Sequence, residues 1–357
     1  MKKISKRNLQ RMIDEKFITA RPHQTLPIKV YNYTPSAQYD HVWNNETTKC
    51  RGLVMDEKYN VIARPFEKFY NLEELEDQGK QMPLEDFEIF EKMDGSLFLV
   101  FWYDNQIVAN TRGSFESDQA IRGRKILQKY IEQYGKEVFN KAYTYCFEVI
   151  YPENRIVVSY GDIEDIFLLA VINTYSGTEM SYHDIQSMYG DKFKIAKRYD
   201  GITDYHEFVK EQKTNSEGYV IRFKKGLRVK VKFEEYKMLH RIVTGLSAKS
   251  IWEGLKEGKS LEEIYAVVPD ELYKWINETV QLLKTQYRDI ETIVLRDFAE
   301  VEAKKYTTRK EKAIDYQKYK YTGIMFMILD GKDYRDEIWK IIRPEYEKPF
   351  QPETEDI

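Results

Sequence analysis

The chain changes texture near Phe233, and that change limits the folds open to it. Before it come short apolar stretches with turn residues between them. They are Ile28–Tyr33, Cys50–Asp56, Asn60–Phe66, Ser96–Asp104, Gln106–Ser114, Tyr143–Tyr151, Arg155–Tyr160, Ile166–Asn173, Glu217–Phe223 and Leu227–Phe233. Each has the length and the β-branched or aromatic content of a strand. One helix is predicted among them, from Ser117 to Lys141, with Ile121, Ile126, Leu127, Tyr130, Ile131 and Tyr134 at helical spacing. After Phe233 the period shifts. Leu272, Trp275, Ile276, Val280, Leu283, Tyr287, Ile290, Val294, Phe298 and Val301 repeat close to every 3.6 residues, and Pro269-Asp270 is a start signal. A second apolar run, Tyr321 to Leu329, is expected to pack on that helix, and the Pro-rich acidic tail from Arg343 is expected to be loose. The expectation is α+β: a domain of antiparallel sheets with helices over 1–243, then an all-α domain over 244–357.

Composition removes several classes of function. Hydrophobic residues make up 42% of the 357, enough for a sizeable core. No apolar run reaches the ~18 residues of a membrane span. The basic start, MKKISKRNLQRMIDEKF, leads into no apolar stretch, so no signal peptide and a cytoplasmic location are expected. Cys50 and Cys146 lack metal-ligand spacing and are expected to be reduced. Five scattered histidines give no support to zinc hydrolysis or Ser-His-Asp chemistry. The net charge of −3 argues against indiscriminate nucleic-acid binding, yet RFKKGLRVKVK, from Arg222 to Lys232, holds no acid and reads as a patch for phosphate.

The stretch FEKMDGSLFLVF, Phe90 to Phe101, sets Lys92 between apolar runs. Asp94-Gly95 between such runs reads first as a hairpin turn, with Gly95 supplying a positive φ. Downstream, TRGS (Thr111–Ser114), FEVI (Phe147–Ile150), EGYVIRF (Glu217–Phe223) and VKVK (Val229–Lys232) bring two acids and two more lysines onto or beside strands. Period-2 spacing puts Lys230 and Lys232 on one strand face. That pair also suits a solvated edge strand. Glu217 also suits a surface turn, and Glu148 an outward strand position.

The ordered set resembles the motifs shared by covalent nucleotidyltransferases, the polynucleotide ligases and RNA capping enzymes. With CRGLVMD, ARPFEKFYN (Ala63–Asn71) and PENRIVVSY (Pro152–Tyr160), it is similar to the T-even phage tRNA-repair RNA ligase family over most of Tyr31 to Tyr236. The resemblance implies that 1–243 is an adenylation domain and that the helical part chooses the RNA. It implies ATP and Mg2+ as cofactors, with Mn2+ able to substitute. It makes Lys92 the nucleophile that takes AMP, with Lys230 and Lys232 neutralising charge on the α-phosphate. Such a lysine must lose its proton from a reference pKa of ~10.4, which burial and neighbouring cations favour. Glu217 matches the acid that holds the metal, and Glu148 the one that meets the ribose hydroxyls or the metal shell. Tyr31, Arg51, Lys68, Asp94, Gly95 and Arg112 match positions around the ATP. At Arg112 the family has a lysine, whose point charge differs from a guanidinium fork. Val149 stands where some members have an adenine-stacking aromatic. Tyr70 reads better as core, and Glu262 and Glu263 are candidate metal ligands from the helical part.

The implied substrate is RNA with 5′-phosphate and 3′-hydroxyl ends, such as a nicked tRNA. A monomer is expected, in the host-cell cytoplasm if the chain is phage-encoded, with no membrane partner. The alternatives are a noncatalytic RNA-binding relative, and a DNA ligase or capping enzyme. The helical texture after Phe233 counts against the last two, which usually carry an OB-fold there.

Overall fold

The computed structural model describes residues 4–344 except 78, 155, 244, 261 and 264–272. The chain divides into two compact units, Met1–His240 and Arg241–Ile357. The first holds three sheets. Strands β1 (Ile18–Pro22), β2 (Ile28–Tyr33), β3 (Arg51–Asp56) and β4 (Val61–Ala63) form one, in that order. The second contains β7 (Ser96–Tyr103), β8 (Gln106–Thr111), β9 (Tyr143–Ile150), β10 (Asp165–Asn173) and β11 (Lys194–Ile195), in the order β11-β10-β9-β7-β8. The third contains β5 (Tyr70–Asn71), β6 (Phe87–Glu91), β12 (Arg198–Tyr199), β13 (Gly218–Phe223) and β14 (Arg228–Lys232), in the order β12-β6-β13-β14-β5. Pairing is antiparallel except for β10 with β11 and β14 with β5.

The second sheet explains why SLFLVFWY is apolar without alternation. Phe98 and Val100 pack with Ile126 and Leu127 of the helix Asp118–Tyr134. Leu97, Leu99 and Phe101 pack on the other side with Ile28, Val30 and Val54 of the first sheet. A strand buried on both faces is a continuous hydrophobic run. Cys146 lies in the second of these cores, and both cysteines are free and buried.

Three sequence expectations are corrected here. Asp94-Gly95 makes no hairpin: β6 and β7 belong to different sheets, and the chain crosses between them at this point. Gly95 does not adopt a positive φ. Its role is close approach, since a Cβ there would lie 2.5 Å from the Val149 carbonyl oxygen and 3.1 Å from Glu148 Cγ. The segment 156–160 is no strand, because the amides of Val157 and Val158 both donate to Asp94 Oδ2, at 3.0 and 2.9 Å; Arg155 lies outside the described residues.

The helix predicted to Lys141 ends at Tyr134, where Gly135 turns the chain with φ 75°. Strands β1, β5, β6, β11 and β12 carry too short or too mixed a pattern to have been found. In the second unit the helix Tyr273–Ala303 carries the long periodic run, and Thr322–Leu329 packs against it. Pro269-Asp270 and Leu272 lie outside the described residues, as does the tail beyond Pro344. Among the described residues no helix is long and apolar enough to cross a membrane.

Candidate active site

Lys92 follows the last residue of β6, where the chain leaves the third sheet for the second. Its amide donates to the Gly218 carbonyl at 3.0 Å, which continues the ladder between β6 and β13 by one residue. Its side chain is one-fifth exposed and sets Nζ 2.6 Å from Glu217 Oε1. Lys232 approaches the same oxygen at 3.0 Å. Glu217 is almost wholly buried and so sits between two ammonium groups, one from each neighbouring strand. Gly218 makes this possible. It has φ 144°, and a Cβ there would fall 1.9 Å from the Val231 carbonyl oxygen, so no other residue fits opposite Lys232. The immediate partner of Lys92 is thus a carboxylate, where the sequence suggested an apolar and cationic setting.

Lys230 alternates with the buried Val229 and shares a face with Lys232 and Arg228. Lys232 also lies 4.9 Å from the ring centroid of Tyr236. Asp94 is 4% exposed and its carboxylate is filled by protein donors: besides Val157 and Val158, the Tyr236 hydroxyl donates to Oδ1 at 2.8 Å. The Asp94 amide in turn donates to the Tyr160 hydroxyl at 2.8 Å. Asp94 therefore fastens the crossing segment to the 156–160 segment and to the helix Glu234–Val243, with three protein donors on its two oxygens.

Glu148 lies on β9 opposite Leu97. Phe147 and Val149 face the core under the helix Asp118–Tyr134, so Glu148 faces the other way, toward Arg51. That side of the strand also carries Cys146, part of the core against the first sheet, and Glu148 itself stays partly exposed. Burial pushes its pKa up to about 8, while Lys92 pulls down and Glu217 pushes up. Val149 is fully buried in the helix-side core, so it does not stack on a base.

A third group gathers behind these. The Lys68 ammonium is buried with its Nζ 4.7, 5.4 and 5.9 Å from the ring centroids of Trp43, Tyr70 and Tyr33, and it donates to the Phe69 carbonyl at 2.7 Å. Arg112 lies over Tyr33 and Arg51 over Phe69, at 5.6 and 4.7 Å. Burial lowers the Arg51 pKa, and the nearby Arg112 adds to that. Arg51 Nη1 is buried with no hydrogen-bond partner, an arrangement that awaits an anion. Tyr31 does not join this group. It packs among Leu9, Met12, Ile18 and Leu53, and burial raises its pKa to about 12. Tyr33, two residues on in the same YNYT and the last residue of β2, stands at the site instead. Sequence reading missed Tyr33 and Trp43. Tyr70, expected in the core, serves both as a partly buried core contact and as a wall of the Lys68 cage.

The basic run Arg222–Lys232 is largely neutralised rather than open to phosphate. Arg222 pairs with Glu88 and Glu179, Arg228 with Glu179, Lys224 with Asp86 at 2.9 Å and Lys225 with Glu85 at 3.3 Å. Glu263 accepts the Ser260 amide at 2.7 Å, and both it and Glu262 belong to the second unit. Among the described residues no three His, Cys, Asp or Glu side chains cluster as a ready-made metal cage.

A family model described as RNA ligase matches residues 49–238, more than half of the chain. The chain belongs to the RNA ligase family. Among relatives of this family member, the RNA ligase of Rhodothermus phage RM378 is 21% identical, covering 88% of this chain and 84% of that protein. A candidate bifunctional polynucleotide kinase/RNA ligase of Autographa californica nuclear polyhedrosis virus is 27% identical over 54% of this chain and 31% of its own. A candidate RNA ligase of Thermovibrio ammonificans is 26% identical over 48% of this chain, and the match spans 46% of that protein. The chain thus spans less than half the length of these last two. A solved Naegleria gruberi RNA ligase with PPi aligns at a TM-score of 0.42 and 16% identity, over 50% of this chain and 58% of that one. That likeness is too distant to bear on function.

Proposed function

We propose that the chain is an ATP-dependent RNA ligase that joins RNA 5′-phosphate and 3′-hydroxyl ends through AMP carried on Lys92. The observation that supports this reading best is the Lys92–Glu217–Lys232 cluster at the crossing between two sheets, faced by Glu148. In the first step Lys92 Nζ attacks the α-phosphorus of ATP. An N–P bond forms, the bond to the bridging oxygen breaks, and pyrophosphate leaves. Glu217 Oε1, 2.6 Å from Nζ, aims the amine and is the acceptor within reach for its proton. Next, an RNA 5′-phosphate oxygen displaces Lys92 from phosphorus, and the amine regains a proton. The RNA 3′-hydroxyl then attacks the 5′-phosphorus, gives up its proton and releases AMP.

Positioning and fixed positive charge carry most of such steps. Lys230 and Lys232 neutralise the α-phosphate. Arg51, Lys68 and Arg112 hold the outer phosphates, with the unpartnered Arg51 Nη1 as the clearest vacancy for an anionic oxygen. Gly95 keeps the backbone close to β9, and Asp94 holds the crossing in place. A divalent ion suits two carboxylates close enough to repel, the buried Glu217 and the partly exposed Glu148. Glu217 and Glu148 would hold Mg2+ or Mn2+, which would supply charge neutralisation at the phosphates. The helical second unit would select the RNA, for which a nicked tRNA is the first candidate. The protein would act as a monomer in the host-cell cytoplasm if phage-encoded.

The test is label transfer. The protein, stripped with pyrophosphate, is incubated with magnesium and α-phosphate-labelled ATP, then denatured. Label on the chain that requires Lys92 and is not given by GTP is expected. Joining of single-stranded RNA rather than nicked duplex DNA should follow. A chain that stays unlabelled would overturn the reading in favour of RNA binding without catalysis.

A further inference from the structure

The hairpin of β13 and β14 carries the proposed catalytic groups at one end and an ion-pair lattice at the other. Gly218 pairs with Lys232 at the first end, and Arg222 pairs with Arg228 at the second. Two arginines directly opposite each other in an antiparallel pair repel. Both are well buried, with side chains 15% and 13% exposed. The repulsion is met from two directions. Glu88 on β6 lies across from Arg222 within the same sheet and pairs with it. Glu179 comes from elsewhere. It bridges to Ile172 at the end of β10, so it belongs to the second sheet. Its two oxygens are divided, Oε1 to Arg222 Nη1 and Oε2 to Arg228 Nη2. Arg228 also rests on Phe66 and Phe69, at 4.5 and 5.8 Å from their centroids, and Arg51 lies over the other end of this stack at Phe69.

Glu179 is therefore a carboxylate of the Glu148 sheet that grips both strands of the Glu217/Lys230/Lys232 hairpin. We propose that Glu179 is a positioning residue, an inter-sheet latch that sets the distance between the two halves of the adenylation site. Its ion-pair partners are Arg222 and Arg228 rather than Lys92. Its effect reaches the chemistry through β14, whose Arg228, Lys230 and Lys232 alternate along one face. The latch rests on the function proposed above. Labelling of wild-type protein tests that function, and the variants below are read only against a labelled wild type. Failure of the one is thus distinct from failure of the other.

The experiment measures the rate of Lys92 labelling against ATP concentration for Glu179→Gln, Glu179→Ala and Glu179→Ala/Arg228→Met, together with their Tm. Glu179→Gln keeps the shape and loses the paired charge. It is expected to lower the maximal rate by about tenfold while changing the ATP concentration for half-maximal rate little, because misplaced lysines harm the transition state more than binding. Glu179→Ala should lose more rate and also Tm, since Arg228 then loses the carboxylate that offsets its repulsion from Arg222, and Glu88 is already occupied by Arg222 and Arg198. Adding Arg228→Met removes that repulsion and should return Tm without returning the rate. A Glu179→Gln rate within twofold of wild type would overturn the proposal. Recovery of the rate along with Tm in the double variant would also overturn it, by making Glu179 a charge neutraliser alone.

Discussion

The two ends of the β13–β14 hairpin meet similar problems and solve them differently. At the far end Arg222 and Arg228 face Glu88 and Glu179, and Glu88 also pairs with Arg198, which has Asp200 as a second partner, so three guanidiniums meet three carboxylates. At the near end Lys92 and Lys232 compete for one oxygen of one carboxylate, Glu217. The second carboxylate, Glu148, is held back by burial that favours its neutral form. One end is balanced, which suits holding strands together. The other carries surplus positive charge and a carboxyl group poised to ionise, which suits an anion arriving with a cation. A buried ion pair is a weak source of net stability, but removing one partner leaves an uncompensated charge and is costly.

Removing the nucleophile should give the largest effect. Lys92→Ala should abolish label transfer while leaving Tm close to wild type, because Glu217 keeps Lys232 as its partner. Retained RNA joining by that variant would break the contrast between a reactive and a structural end. Lys232→Ala comes next. It should slow labelling by about 10²-fold, the scale for losing one preorganised charge stabiliser. Glu217→Gln should slow it by a similar or slightly smaller factor and raise the magnesium concentration needed. Full activity of that variant at low magnesium would remove Glu217 from the metal.

The ends differ in how legible they were. The near end was readable because its chemistry is written in contiguous motifs: Lys92 with Asp94-Gly95, Glu217 with Gly218, Lys230 with Lys232. The α+β division was readable because the apolar period itself changes. What failed was whatever depended on partners distant in sequence. MDGS looks like a turn until β6 and β7 are seen to pair with different strands. Val157 and Val158 look like strand residues until Asp94 takes their amides. The basic run looks open until Glu85, Asp86, Glu88 and Glu179 arrive from other strands and loops. Tyr31 and Tyr33 hold alternate positions of one strand, and only the partners each meets, the Leu9 core or the Lys68 cage, tell them apart. Local pattern records the face a residue prefers, not the group that will meet it there.

Arg51→Lys sharpens the comparison at smaller cost. A lysine keeps the charge but loses the fork over Phe69, so the ATP concentration for half-maximal labelling should rise several-fold with a lesser change in maximal rate. Equal effects on both would place Arg51 in the transition state rather than in phosphate binding.

The last prediction concerns stability rather than rate and belongs to Glu148. Its folded pKa of about 8 lies above the ordinary 4.5 because burial penalises the carboxylate. Between these values the unfolded chain ionises and the folded chain does not, so the folded state binds more protons. Stability must then fall as pH rises from about 4.5 and level off above about 8, by at most ~1.4 kcal/mol per pH unit from this one group. Glu148→Gln removes the ionisation and should leave Tm near wild type at pH 4.5. It should then gain steadily on wild type up to pH 8, in buffer without metal or nucleotide. Magnesium with ATP should shrink the gap if the ion compensates the carboxylate. A gap independent of pH would mean that Glu148 is already ionised in the folded protein, and the near end of the hairpin would be as balanced as the far one.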